Sequence, residues 1–372
     1  MPLLAMNLSD KLFLQIKELV EKGAYQNPES FLEIAAFNQL ALERGVTPDE
    51  VIARGHRKIV DEDTAKDRNG KETRKKKPVK PKTQPAASVP IQPSPLTKDE
   101  IADTWSRLTW VKRTELSAEP CKASGTSEPG SHVFGQVNRL FPLKLACRWL
   151  AHYSATIDKW PTFDSISGAL AEDAGVVGSY LEQLDTSANR KRDEVLSIGL
   201  PRRGNTPSKE RFLAQFLARV TRAGLFPTTI AQYQLAKFED GTIALTEQGL
   251  EFASFSNPIL DGDNLLTAKA TLSKSDSEFL VRLVLNQIPV ERDDMQVVLR
   301  VLAEGKVTPA ALSEGTRQHL ATDESDDVFK TQVSGIIARL SDLGLVRRRW
   351  EGRFVTYELE NKDRVEAFLK VS

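Results

Sequence analysis

Cysteine is nearly absent from this chain, with Cys121 and Cys147 as its only two. Two isolated thiols exclude a disulfide scaffold and paired-Cys zinc spacing, and they suit a reducing compartment. Long apolar runs are missing as well. No stretch approaches the roughly 18 residues that a membrane-spanning helix requires, so no membrane partner is expected. The segment Met1 to Met6 is apolar but has neither a basic start nor an extended apolar run, so no secretion signal is expected. An excess of either charge is also lacking, since 51 Lys and Arg balance 51 Asp and Glu. No global field then draws the chain to phosphates, and nucleic-acid contact has to come from local patches. These absences describe a cytoplasmic protein, free or associated with the nucleoid.

Catalytic motifs are the next absence. The sequence has no Gly-rich phosphate loop ending in Lys-Ser or Lys-Thr, no HExxH pattern and no nucleophile elbow. Its four histidines, His56, His132, His152 and His319, fall in unrelated segments. His152 reads as a packing residue, and Cys147, on the apolar side of a helical pattern, as a small core hydrophobe. Asp323, Glu324, Asp326 and Asp327 precede a helical pattern, where negative charge complements the N-terminal dipole. The expectation is a non-enzymatic protein with no catalytic residue, metal or cofactor.

What the chain does have is a nine-residue phrase that occurs twice. Ala218-Arg-Val-Thr-Arg-Ala-Gly-Leu-Phe226 and Ala338-Arg-Leu-Ser-Asp-Leu-Gly-Leu-Val346 share Ala, Arg, Gly and Leu at the same offsets. Each closes a helical pattern, with Gly where a helix end takes a left-handed residue. Each is followed by a β-prone run broken by an acidic-Gly pair, Asp240-Gly241 or Glu351-Gly352. Helix, Gly stop and two-stranded hairpin resemble the second half of a winged helix, well over 294–372 and more loosely over 137–256. The resemblance implies double-stranded DNA binding, or protein docking where the wing lacks basic charge. Only the second wing is basic, through Arg347, Arg348, Arg349 and Arg353, with Trp350 at its tip. The first has an acidic turn balanced only by Lys237, which fits docking or packing.

Five segments organise the chain. Residues 1–60 carry an apolar strand candidate and two helical patterns. The run Glu18-Leu-Val-Glu-Lys-Gly23 followed by Asn27-Pro-Glu-Ser-Phe31 resembles the ribbon-helix-helix family. That resemblance implies a homodimer. The strand Pro2 to Asn7 lacks the basic and amide side chains that would read bases. Residues 61–96 form a basic, Pro-rich linker with nine Lys or Arg between Lys66 and Lys82, expected to be disordered. Its Arg74, Lys75, Lys76 and Lys77 are candidate phosphate contacts. Residues 97–132 are a poorly defined connector, beginning with a short helix capped by Thr97. Residues 133–262 form a helical domain with the first winged helix. In it, helices are expected over Leu140 to Leu150, Phe163 to Ala174, Phe212 to Val220 and Glu247 to Phe255. Residues 275–372 form the second winged helix.

The fold class expected is mainly α with small β-hairpins (α+β). Within the second winged helix, the helix from Val328 turns Val333, Ile336, Ile337, Leu340 and Leu343 inward. Its opposite face would offer Lys330, Gln332, Ser334 and Arg339 to base edges, while Arg347, Arg348, Arg349 and Arg353 meet phosphates. The expected function is a homodimeric double-stranded DNA-binding protein, a regulator or the DNA-engaging subunit of a larger assembly. Defence and mobile-element maintenance are settings that suit this mix of domains. The alternative is a scaffold that holds a protein partner through its winged helices.

Overall fold

The computed structural model describes Lys17 and residues 95–371, apart from 111–118, 122–131, 134, 158, 192–193, 223, 321–324 and 353. The ribbon-helix-helix-like segment and the basic residues Arg74, Lys75, Lys76 and Lys77 lie outside the described residues, Lys17 aside. The chain divides into units 1–88 and 89–372, and the elements named below belong to the second.

Local signals start most of these elements. Helix α1 (Lys98–Arg107) is capped by Thr97, whose side chain accepts from the Glu100 N–H at 3.2 Å. Helix α2 (Phe141–Thr156) is buried along most of its length and forms the centre of the first half. Helix α3 (Phe163–Ser187) runs past the Ala174 end expected from the sequence, because Ala174, Val177 and Leu181 continue its buried face. Asn205 caps α4 (Thr206–Phe216), accepting from the Ser208 N–H at 2.9 Å. Hairpin β1 (Ala218–Thr221) with β2 (Gly224–Pro227) follows, then the short α5 (Thr229–Gln232). Hairpin β3 (Ala236–Glu239) with β4 (Thr242–Leu245) leads into α6 (Glu247–Ser254). The second half comprises α7 (Lys274–Gln287), α8 (Pro289–Ala303), α9 (Pro309–Leu320) and α10 (Asp326–Asp342). Hairpin β5 (Val346–Glu351) with β6 (Phe354–Leu359) and helix α11 (Lys362–Lys370) complete it. Among the described residues the strands form three separate two-stranded antiparallel sheets.

The repeated phrase does not fold twice the same way. In the second copy, α10 ends as its sequence implies. Gly344 takes φ +68°, its N–H donates to the Ser341 carbonyl, and the Leu345 N–H donates to the Leu340 carbonyl, each at 3.0 Å. That is a Schellman end. In the first copy the helix has already stopped at Phe216, and Ala218 to Pro227 is an antiparallel hairpin pairing Arg219 with Phe226. The helix expected to reach Val220 is therefore corrected, and Val220 is 74% exposed instead of lying in a core. Two β-branched residues, Val220 and Thr221, and the following Pro227 all disfavour helix and permit an edge ribbon.

The structural counterpart of the second copy lies ten residues further on. The Gln234 N–H donates to the Ala231 carbonyl and the Leu235 N–H to the Ile230 carbonyl, each at 2.9 Å, with Gln234 at φ +54°. Leu235 then enters β3 as Leu345 enters β5. After each hairpin the chain closes back similarly, the Thr246 N–H onto the Leu235 carbonyl and the Glu360 N–H onto the Leu345 carbonyl, at 3.0 and 2.8 Å. The β3–β4 turn places Asp240 and Gly241 at φ +50° and +75°, as a type I′ hairpin demands.

Buried charge joins the halves. Arg339 on α10 and Glu291 on α8 are fully buried, paired at 2.6 and 3.0 Å. Tyr233 from the first half donates to Glu291 at 3.2 Å, and Arg339 donates to the Val137 carbonyl at 2.9 Å. Lys144 on α2 lies 2.8 Å from Asp276 on α7 and also donates to the carbonyls of Phe252 and Phe255. Asp342 accepts from Arg139 and from the Leu140 N–H, each at 2.7 Å. Such groups have few satisfactory alternatives once dry, so they fix how the halves meet more than they add stability.

Candidate nucleic-acid interface

The basic surface of the second half is the β5–β6 hairpin. Its register places Arg347 opposite Glu358, Arg348 opposite Tyr357 and Trp350 opposite Val355. Strand alternation then separates two faces. Val346 and Tyr357 are buried, so the face holding Val346, Arg348, Tyr357 and Leu359 turns inward. Arg347 and Arg349 belong to the outward face, with Phe354, Thr356 and Glu358. The Arg348 guanidinium lies 5.7 Å from the Tyr357 ring centroid and is half-buried there. Arg349 pairs with Glu358 at 2.6 Å, both side chains about half exposed. Trp350 and Phe354 are 42% and 75% exposed. Arg353 lies outside the described residues.

The helix before this hairpin does not present the face expected of it. Lys330 and Ser334 are exposed, whereas Gln332 is half-buried and donates to the Val133 carbonyl at 2.7 Å. Arg339 is wholly buried against Glu291 and Val137, a correction to its placement on an open face. The segment around Gly135 lies against α10 so closely that a Cβ on Gly335 would stand 2.2 Å from the Gly135 carbonyl oxygen. The turns of α10 that would enter a groove are therefore covered by the chain itself. Its first turn carries Asp326, paired with Arg317 at 3.1 Å, and Asp327, both of which suit the helix dipole.

The pKa shifts follow from the dry joint. Burial pulls the Arg339 guanidinium down, but the Glu291 carboxylate outweighs it and holds the group above its ordinary value. Burial, then Glu291, pushes the Tyr233 hydroxyl far up. Burial lowers the Lys144 ammonium to about 8 against the opposing pull of Asp276. Burial raises the Cys147 thiol to about 12, in keeping with a core position. Among the described residues no group of three His, Cys, Asp or Glu is placed to hold a metal ion.

The first half's acidic hairpin is tied into its own core. The Phe163 N–H donates to the Gly241 carbonyl at 2.8 Å and the Ile243 N–H to the Pro161 carbonyl at 2.9 Å. This covers one edge of β3–β4 and leaves it as packing. The exposed ribbon of that half is β1–β2, with Arg219 and Arg222, where the helical pattern ending at Val220 predicts a helix end. The Val220-Thr221 pair and Pro227 were the signals that pointed to it.

No family model matches this chain, and neither a curated protein nor a solved structure matches it significantly.

Proposed function

We propose that this chain is a non-catalytic double-stranded DNA-binding protein that grips the duplex backbone through β5–β6, used as the wing of a winged helix. The observation that carries the reading is the outward face of that hairpin, where Arg347 and Arg349 stand exposed on a two-stranded antiparallel ribbon. Guanidinium groups there neutralise phosphates and release counterions. Because α10 is covered over Gln332 and Arg339, binding follows the backbone and does not read base edges through that helix. The N-terminal unit would pair two copies, and the linker cations Arg74 to Lys77 would add salt-sensitive affinity at high effective concentration.

The test is fluorescence anisotropy of the full chain on random duplex DNA across a salt series, beside a variant with Arg347, Arg348, Arg349 and Arg353 changed to alanine. Affinity should fall steeply with salt, and the variant's slope should flatten by about 2 to 4 in log K against log salt. An unchanged slope removes the hairpin from the interface.

A second reading, a scaffold for a protein partner, is favoured by the exposure of Trp350 and Phe354 on a nearly neutral protein. Recovery of a stoichiometric partner after nuclease treatment, with no duplex binding at low salt, would select it.

A further inference from the structure

We infer that the cleft between α6 and α7 is a small-molecule site, and that its ligand is an uncharged, nucleoside-sized heterocycle carrying an amide or lactam group. The site stands apart from the DNA-binding reading and is measured without DNA.

Residues of α6, from the first half, and of α7, from the second, line this cleft together with Arg148 and Ala151 of α2. It offers about 600 Å³, within the roughly 300 to 1,000 Å³ typical of small-molecule sites. Ala151, Leu250, Ala253, Phe279 and Leu283 line it and are buried, which gives the body of a ligand an apolar surface. Two buried polar atoms of lining residues, Arg148 Nε and Gln248 Oε1, have no hydrogen-bond partner among the described residues. At Arg148, which is only 1% exposed, the other donors are already used. Its Nη1 donates to the Leu108 carbonyl and to Asp261 at 3.2 and 3.0 Å. Its Nη2 donates to the Phe255 carbonyl and to Asp261 at 2.9 and 2.6 Å. Those bonds fix the guanidinium and leave the Nε–H over. Gln248 directs its Nε2 to Gln287 at 3.4 Å and keeps a bare carbonyl oxygen.

One orphaned donor and one orphaned acceptor select the ligand. Buried polar groups are nearly always paired, so a molecule that brings a C=O to Arg148 and an N–H to Gln248 satisfies both. An amide or lactam edge carries that pair. Charge argues against an anion. The Arg148 guanidinium is matched by Asp261, and Arg282, on the α7 wall, lies 3.7 Å from Glu251. Glu247 adds a further carboxylate to the lining, so a phosphate or carboxylate would meet more negative groups than positive ones. Phe279, itself stacked on Phe252 at 5.5 Å, supplies an aromatic wall that suits a planar heterocycle.

The test is isothermal titration calorimetry of the full chain with inosine and uridine, both uncharged lactams, and with inosine monophosphate as the charged counterpart. At least one nucleoside should bind saturably, and the monophosphate about tenfold more weakly than inosine, as like charge brought beside carboxylates does. Gln248→Leu removes the orphaned acceptor and should weaken nucleoside binding about 5- to 10-fold, as loss of one hydrogen bond does. Asn286→Trp, at an exposed lining position of α7, should fill the cleft and abolish binding. Both variants should melt at the wild-type temperature, and if Gln248→Leu does not, Asn286→Trp decides alone. Absence of saturable binding by either nucleoside overturns the site and leaves the DNA reading standing. Monophosphate binding as tight as that of inosine overturns the uncharged class. Wild-type affinity in Asn286→Trp places the nucleoside elsewhere and also overturns the inference.

Discussion

The two copies of one phrase differ in what their arginines touch. Arg339 is sealed inside the joint between the halves, bound to Glu291, while Arg219 stands exposed on a ribbon. Leu340 is completely buried where Val220 is largely exposed. Similar residues at equal spacing therefore became a helix end in one place and a β-ribbon in the other. Short-range pattern offers a menu, and packing with distant segments selects from it.

The sharpest way to break that comparison is to remove both arginines separately. Arg339→Ala strands the Glu291 carboxylate in a dry site and should cost about 3 to 5 kcal/mol. Arg219→Ala should change stability by less than about 0.5 kcal/mol. Urea denaturation of both variants measures the contrast, and equal losses would mean that the two positions are not so differently embedded.

Loosening the joint elsewhere gives the next effect. Lys144 titrates at about 8 in the folded protein against 10.5 as its ordinary value, so between those pH values the unfolded chain holds the extra proton. Stability contributed by this site therefore rises as pH rises through that window, by on the order of 3 kcal/mol. Denaturation midpoints from pH 8 to 10 should show a rise that Lys144→Met abolishes. Identical pH profiles would place the ammonium in a wetter site.

Close packing of α10 against the segment at Gly135 predicts a smaller loss. Gly335→Ala drives a methyl into the Gly135 carbonyl and should cost about 1 to 3 kcal/mol. Gly344→Ala meets no backbone, so only its φ of +68° opposes the substitution, at about 1 kcal/mol. A Gly344→Ala variant that melts at a lower temperature than Gly335→Ala would argue against the covered helix.

The smallest effect sharpens the contrast between the basic hairpins. Glu358→Gln releases Arg349 from an exposed ion pair and should alter stability by less than about 1 kcal/mol. It should also tighten duplex binding a few-fold at low salt, as read by anisotropy. Weaker binding would mean that Glu358 orients Arg349 more than it neutralises it.

Much of this architecture is legible locally. Thr97 caps α1, Thr308 accepts from the Ala311 N–H at the start of α9, and Thr246 caps α6 as its sequence implies. Asp240-Gly241 and Gly352 mark two turns, and Gly344 marks the end of α10. The candidate site was legible in part: Arg347 and Arg349 are on an exposed face, as their alternation with Val346 and Tyr357 suggests. Arg339 was not legible, since an arginine on a helix reads as a surface residue unless its partners are known.

The sequence by itself determined where several helices and turns are punctuated, as at Thr97, Thr246, Asp240-Gly241 and Gly344, because caps and left-handed positions act within four or five residues of themselves. Tertiary structure alone decided that Arg339 would be buried and α10 covered, because the groups that satisfy Arg339 lie 48 and 202 residues away. A buried charge is stable only where distant chain supplies its counter-charge and excludes water, and no local spacing encodes that meeting.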